Sequence, residues 1–74
     1  MEHNMTMTFQ LEGQDYIELM KLLKFMNLVE SGAEAKMAID EGLVMVNGKP
    51  ELRRRCKLRA GDKVQFEGEI VEVN

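Results

Sequence analysis

Apolar and polar residues alternate strictly through Met5-Thr6-Met7-Thr8-Phe9-Gln10-Leu11, the period of a strand with one buried face. Gly13 closes that run, and from Asp15 the period lengthens. Tyr16, Leu19, Met20, Leu23 and Met26 fall on one helical stripe, while Asp15, Glu18, Lys21 and Lys24 lie off it. The pattern predicts a helix with Asp15 as its N-cap or first-turn acid. Asn27-Leu28-Val29-Glu30 is a short connection. Ser31-Gly32-Ala33-Glu34 then has the spacing of a capping box, which makes Ser31 the start of a second helix. Ala35, Ala38 and Ile39 line one face of it, and the alanines let the first helix approach closely. Gly42 stands where a left-handed residue past a helix end is wanted.

The second half of the chain reads as β structure. Leu43-Val44-Met45-Val46 is short, apolar and β-favouring, and Asn47-Gly48 is the dipeptide most typical of a type I′ hairpin turn. Pro50 cannot donate to a ladder, so the return strand is expected at an edge or irregular. Ala60-Gly61-Asp62 forms a further turn. Val64 and Phe66 alternate, Gly68 breaks, and Val71 and Val73 alternate again. The order β, α, α, β-hairpin and two more β segments predicts an α+β fold.

A length of 74 residues suits a single domain over 1–74. A chain of this size buries only about 60% of its unfolded surface, so the core is thin. The 45% apolar content is that of a globular protein. No apolar run approaches the ~20 residues of a membrane span, and MEHNMTMT lacks the basic and apolar parts of a secretory signal. A cytoplasmic monomer is expected, frayed over residues 1–4 and without a membrane. Cys56 is the one cysteine and makes no internal disulfide. It reads as an incidental strand residue, the alternative being a thiol acidified by its basic neighbours.

Charge changes this picture. The net charge is −3, yet Arg53, Arg54, Arg55, Lys57 and Arg59 place five of the ten basic residues in seven positions. From Lys36 to Lys63 there are eight basic residues and four acidic ones, and the other acids lie mostly in 12–34 and 67–72. A phosphate backbone responds to local potential rather than to the sum. Arginine adds planar, bidentate contacts. The basic run therefore reads as a phosphate-facing strand edge. The plainer alternative is a solvated strand that resists edge-to-edge pairing, but five cations exceed what that requires. Phe25 falls off the apolar stripe and reads as satellite core against the sheet, with base stacking as the alternative.

Other functions are excluded by what is missing. The one serine, Ser31, is better used as a cap, and the one histidine, His3, lies at the terminus. Asp40 and Glu41 end a helix, and the glycines are isolated turn residues rather than a phosphate loop. No catalytic group, metal or cofactor is expected. A DNA-reading helix-turn-helix fails because the second helix carries Glu34, Asp40 and Glu41 against Lys36 alone. A ubiquitin-like sulfur carrier needs a terminal Gly-Gly, and this chain ends Glu72-Val73-Asn74. A protein-binding adaptor stays open.

Leu19-Met20-Lys21-Leu22-Leu23-Lys24-Phe25, Ser31-Gly32-Ala33-Glu34-Ala35-Lys36, Gly42-Leu43-Val44-Met45-Val46-Asn47-Gly48-Lys49 and Leu58-Arg59-Ala60-Gly61-Asp62-Lys63-Val64 follow one another with short gaps. Together they resemble the ribosomal-protein-S4-like RNA-binding domain over roughly residues 14–67, most closely its small stand-alone bacterial members. The resemblance implies an S4-like (αL motif) fold, with two packed helices on a small twisted, mostly antiparallel sheet. It implies binding of structured RNA, ribosomal RNA or a ribosome-associated RNA, with a ribosomal or protein partner compatible with it. Carried over by position, the implied contacts are Lys21 and Lys24 on the first helix, Ser31 and Lys36 on the second, and Asn47, Gly48 and Lys49 at the hairpin. Where the family opens its first helix with R-L-D, this chain has Glu18-Leu19-Met20. Where the second reads S-R-S-E-A-R, it has a glycine, an alanine and a lysine. Two arginines are thus missing from the helical face, which shifts weight onto Arg53, Arg54, Arg55 and Lys57, with Arg59 completing the run.

Overall fold

Strand β1 (Met5–Phe9) opens the computed structural model, which describes residues 5–74. The expected fraying of residues 1–4, and His3 with it, lies outside that range. Next come β2 (Ile17–Glu18), α1 (Leu19–Phe25), α2 (Gly32–Asp40), β3 (Met45–Val46) and β4 (Lys49–Pro50). Then β5 (Lys57–Leu58), β6 (Lys63–Phe66) and β7 (Glu69–Val73) complete the α+β order. Five strands form one sheet in the order β1-β7-β6-β3-β4, parallel between β1 and β7 and antiparallel elsewhere. Strands β2 and β5 make a separate antiparallel pair, Ile17 opposite Leu58 and Glu18 opposite Lys57.

The helices lay Leu19, Leu22, Leu23, Ala35, Ala38 and Ile39 against Val44, Val64, Phe66, Val71 and Val73 of the sheet half. The fully buried Leu58 joins the same core from β5. Ser31 caps α2 as its spacing predicts: its Oγ accepts from the Glu34 N–H at 3.1 Å. The Glu34 carboxylate reaches back to the Glu30 N–H at 2.8 Å, one residue earlier than the standard box. Both helices end in the same motif. Gly42 (φ 74) and Asn27 (φ 59) take the left-handed position. The N–H groups of Leu43 and Leu28 return to the Ala38 and Leu23 carbonyls, each at 3.0 Å. Ser31→Ala is expected to cost about 1 kcal/mol, read as a lower urea midpoint with an unchanged folded spectrum.

The first helix does not begin at Asp15. Residues 17–18 are held in a strand by β5, so the helix starts at Leu19, and its N-cap, Glu18, makes no side-chain cap. The first helical N–H groups find carbonyls from far along the chain instead, Leu19 from Cys56 at 2.9 Å and Met20 from Arg54 at 3.0 Å. Tyr16 therefore precedes the helix rather than joining its stripe. A second correction concerns 51–56, which form a loop with a turn at Arg54-Arg55 rather than a strand. The edge strand β4 ends at Pro50, and one more bond, from the Glu51 N–H to the Val44 carbonyl at 3.0 Å, closes the pairing before the loop.

Asn47 (φ 52) and Gly48 (φ 87) both have positive φ, and Val46 faces Lys49 across the turn, as the type I′ hairpin requires. Glu67 (φ 51) and Gly68 (φ 80) repeat the geometry between β6 and β7. A Cβ at Gly48 meets nothing within 4 Å, so any penalty there is conformational. Gly48→Val is expected to cost about 1–3 kcal/mol of backbone strain. It would read as a fall of several degrees or more in melting temperature.

Candidate nucleic-acid interface

The 51–56 loop is short, polar and fastened at both ends. At its start the half-buried Glu51 carboxylate accepts three bonds from Arg53. They come from the backbone N–H and from Nε, each at 2.9 Å, and from Nη2 at 3.1 Å. The Arg53 guanidinium and then its backbone N–H hold the Glu51 carboxyl down, from an ordinary 4.5 to about 2. The unfolded chain thus takes up this proton near pH 4.5 while the folded chain does not until about pH 2. The stabilisation is full above 4.5 and is lost as pH falls through about 2. Between those values wild type is expected to lose stability with acid more steeply than Glu51→Gln, measured by urea unfolding along a pH series.

The other two arginines also face acids. Arg54 grips Asp40 at the end of α2 through Nε at 3.0 Å and Nη2 at 2.6 Å, and that bond lowers the Asp40 pKa. Arg55 only approaches Glu18, at 4.0 Å, and its side chain is 82% exposed. Of the three, Arg55 alone keeps both parallel N–H donors of its guanidinium without a hydrogen-bonded acid. Backbone bonds to α1 and the Arg54 side chain on α2 together lay the basic loop against the helix pair. An open groove of about 570 Å³ results, lined by Met20, Lys36, Asp40, Leu52, Arg54 and Arg55. A neighbouring hollow is lined by Arg53, Arg55, Cys56 and Lys57. Arg55 lines both. Beyond it, the Lys57 ammonium lies 5.0 Å and the Arg59 guanidinium 5.6 Å from the centre of the Tyr16 ring, cation–π contacts that hold both cations in place.

The residues singled out from the sequence separate into groups. Lys36, Arg54, Arg55, Lys57 and Arg59 form one band across three elements. Arg53 adjoins it with its Nε and Nη2 donors engaged by Glu51 and Cys56. Lys24 is exposed one helical turn from Met20 and so on the groove side of α1. Lys21 turns to a different hollow, with Tyr16 and Glu18. Lys49 and Gly48 are exposed at the sheet edge, outside the groove lining. Asn47 is occupied internally: it donates to Asp62 at 2.9 Å and accepts from the Lys63 N–H at 2.9 Å, pinning the hairpin to the following turn. The Ser31 oxygen serves the helix cap. Sequence reasoning missed Tyr16 as a cation platform, and Met20 and the exposed Leu52 as apolar lining of the groove. No local signal marks Tyr16 and Met20, whose cationic partners lie more than ten residues away.

Cys56 is half-buried against the core, and burial, then Glu51, pushes its thiol up. The acidified-thiol alternative falls: Arg53 Nη2 reaches the sulfur at 3.7 Å and acts to lower it, but burial and Glu51 outweigh that. Among the described residues no His, Cys, Asp and Glu group is arranged to hold a metal ion. Among the same residues no helix is long and apolar enough to cross a membrane.

Residues 9–74 match the family model described as S4 domain. YbcJ of Escherichia coli strain K12 is 50% identical over 66 residues, which is 89% of this chain and 94% of that protein. From Bacillus subtilis strain 168, "Probable ribosome maturation protein RlbA" is 41% identical over 54 residues, 73% of this chain and 76% of that one. The solution structure of Escherichia coli YbcJ superposes with a TM-score of 0.66 at 44% identity. It covers 99% of this chain and 90% of its own, and is described as revealing an αL motif involved in RNA-binding.

Proposed function

The chain belongs to the S4 domain family, and on that premise we propose that it binds structured RNA without catalysing a reaction on it. The observation that carries this is the cationic band centred on Arg55. A chain with net charge −3 gathers Lys36, Arg54, Arg55, Lys57 and Arg59 from a helix, a loop and a strand onto adjoining surface. Folding brings Lys36 of α2 beside a run, 54–59, that carries the other four. Phosphate neutralisation supplies affinity that does not depend on base sequence. Met20 and the exposed Leu52 add an apolar lining to the band, where a sugar or a base edge can rest.

In this reading Arg55, Lys36, Lys57 and Arg59 meet phosphates directly. Arg54 adds charge from its Asp40 pair, Arg53 adds its outer edge, and Lys24 extends the band along α1. Lys21, Lys49 and Gly48 are peripheral, and Ser31 and Asn47 position the elements. Ribosomal RNA, or the RNA of a ribosome-assembly intermediate, is the proposed target. The name of the Bacillus relative supports that choice. The protein acts as a single cytoplasmic domain, monomeric, with no cofactor or metal required. Crosslinking in cells followed by sequencing of the attached RNA tests this. Enrichment of ribosomal RNA fragments at a few structured sites is expected. Recovery of protein partners with no RNA would favour an adaptor instead.

A further inference from the structure

One hollow lies apart from the cationic band. It holds about 580 Å³ on the far flank of α1, with Phe9, Gln10, Glu12, Gln14, Lys21 and Phe25 in its wall. Phe25 is 69% exposed, yet its ring is not free. It stands edge-on to the buried Phe9 ring, centroids 5.2 Å apart and planes at 87°, a geometry that fixes its orientation. Around it the chemistry is mixed rather than purely apolar. Gln10 and Gln14 carry both donors and acceptors, and Lys21 supplies a cation one turn before Phe25.

The hollow also connects to the band. Lys21 lines it and lines the adjoining hollow with Tyr16 and Glu18. Lys57 and Arg59 lie on the Tyr16 ring, and Glu18 faces Arg55 at 4.0 Å. A strand leaving the cations at Arg55 and Lys57 can pass Tyr16 and Lys21 to Phe25. Glu12 and Asp15 line this route, so it disfavours additional phosphates beyond Lys21 but accepts base amino groups. Stacking on a fixed ring, amides at the base edge and one cation for the connecting phosphate are the elements by which unpaired bases are held.

We infer that the hollow around Phe25 is a stacking site for an unpaired nucleobase flanking the RNA that the cationic surface holds. This rests on the RNA-binding reading above and adds to it a preference for paired RNA with an adjoining single strand. The test uses two probes, a blunt hairpin RNA and the same hairpin with a 3′ extension of five unpaired adenosines, in fluorescence anisotropy at several salt concentrations. Wild type is expected to bind the extended hairpin about five- to a hundredfold more tightly. Phe25→Ala removes that preference, with affinity for the blunt hairpin and the salt dependence unchanged. Phe25→Leu, which keeps apolar cover over Phe9 without a π face, removes it too, and Phe25→Trp retains it. A preference that survives in both the Ala and Leu variants overturns the site, as does wild type binding both hairpins alike. Binding to neither hairpin overturns the RNA reading, and the site with it.

Discussion

Changing Lys36, Arg55 and Lys57 together to glutamine is expected to weaken binding to a structured RNA about a hundredfold at moderate salt, with the fold intact. The three side chains are exposed, and among the described residues none donates a hydrogen bond to an acid. Each exposed, charge-assisted phosphate contact contributes roughly 1 kcal/mol, and three lost contacts together give about two orders of magnitude. Arg53→Gln with Arg54→Gln is expected to cost less. Those two guanidiniums already spend their paired donors on Glu51 and Asp40, so fewer direct contacts to phosphate are lost with them. The loss should be similar for unrelated RNA sequences, since phosphates carry no base identity. Filter binding with the two variant sets decides the order. Equal losses for both would mean that the ion pairs open on binding.

Leu58→Ala is expected to destabilise the protein by about 2–5 kcal/mol, enough to leave much of a small domain unfolded. Leu58 is fully buried and is the one core residue of β5, a strand of two residues. Its side chain keeps β5 beside β2 and thereby keeps the Cys56 and Arg54 carbonyls over the first N–H groups of α1. A void there loosens the helix start and the basic loop together. The effect should exceed those at Ser31 and Gly48, where no core volume changes. Urea unfolding followed by circular dichroism measures it, and an unshifted midpoint would show that the loop is held by its ion pairs rather than from beneath.

What the sequence made legible was local. The Ser31 cap, the Gly42 helix end, the Asn47-Gly48 hairpin and the alternation of Val64 with Phe66 depend on neighbours a few residues away, and all stand in the structure. The start of α1 was misread because Tyr16 and Asp15 fit a helical period, while β5, forty residues on, claims Ile17 and Glu18 for a strand. The Glu67-Gly68 turn was seen only as a break, since glutamate is an unusual residue for that conformation. The S4-like fold followed from ordered motifs, whereas the parallel pairing of β1 with β7 did not, because periodicity carries no strand partner. The candidate site divides in the same way. Charge density pointed to 53–59. The difference among Arg53, Arg54 and Arg55 rests on three acids, two of them distant in sequence, that only folding brings near.

The claim that phosphates are read by the Arg55-centred band is tested most directly by the salt dependence of binding to one structured RNA. A protein that releases counterions loses affinity linearly in logarithm with salt, by about 0.7–0.9 per phosphate neutralised. Wild type is expected to show a steep slope, and the Lys36, Arg55 and Lys57 triple glutamine variant one flatter by about two to three units. A wild-type slope near zero, or one that the triple variant leaves unchanged, would contradict it.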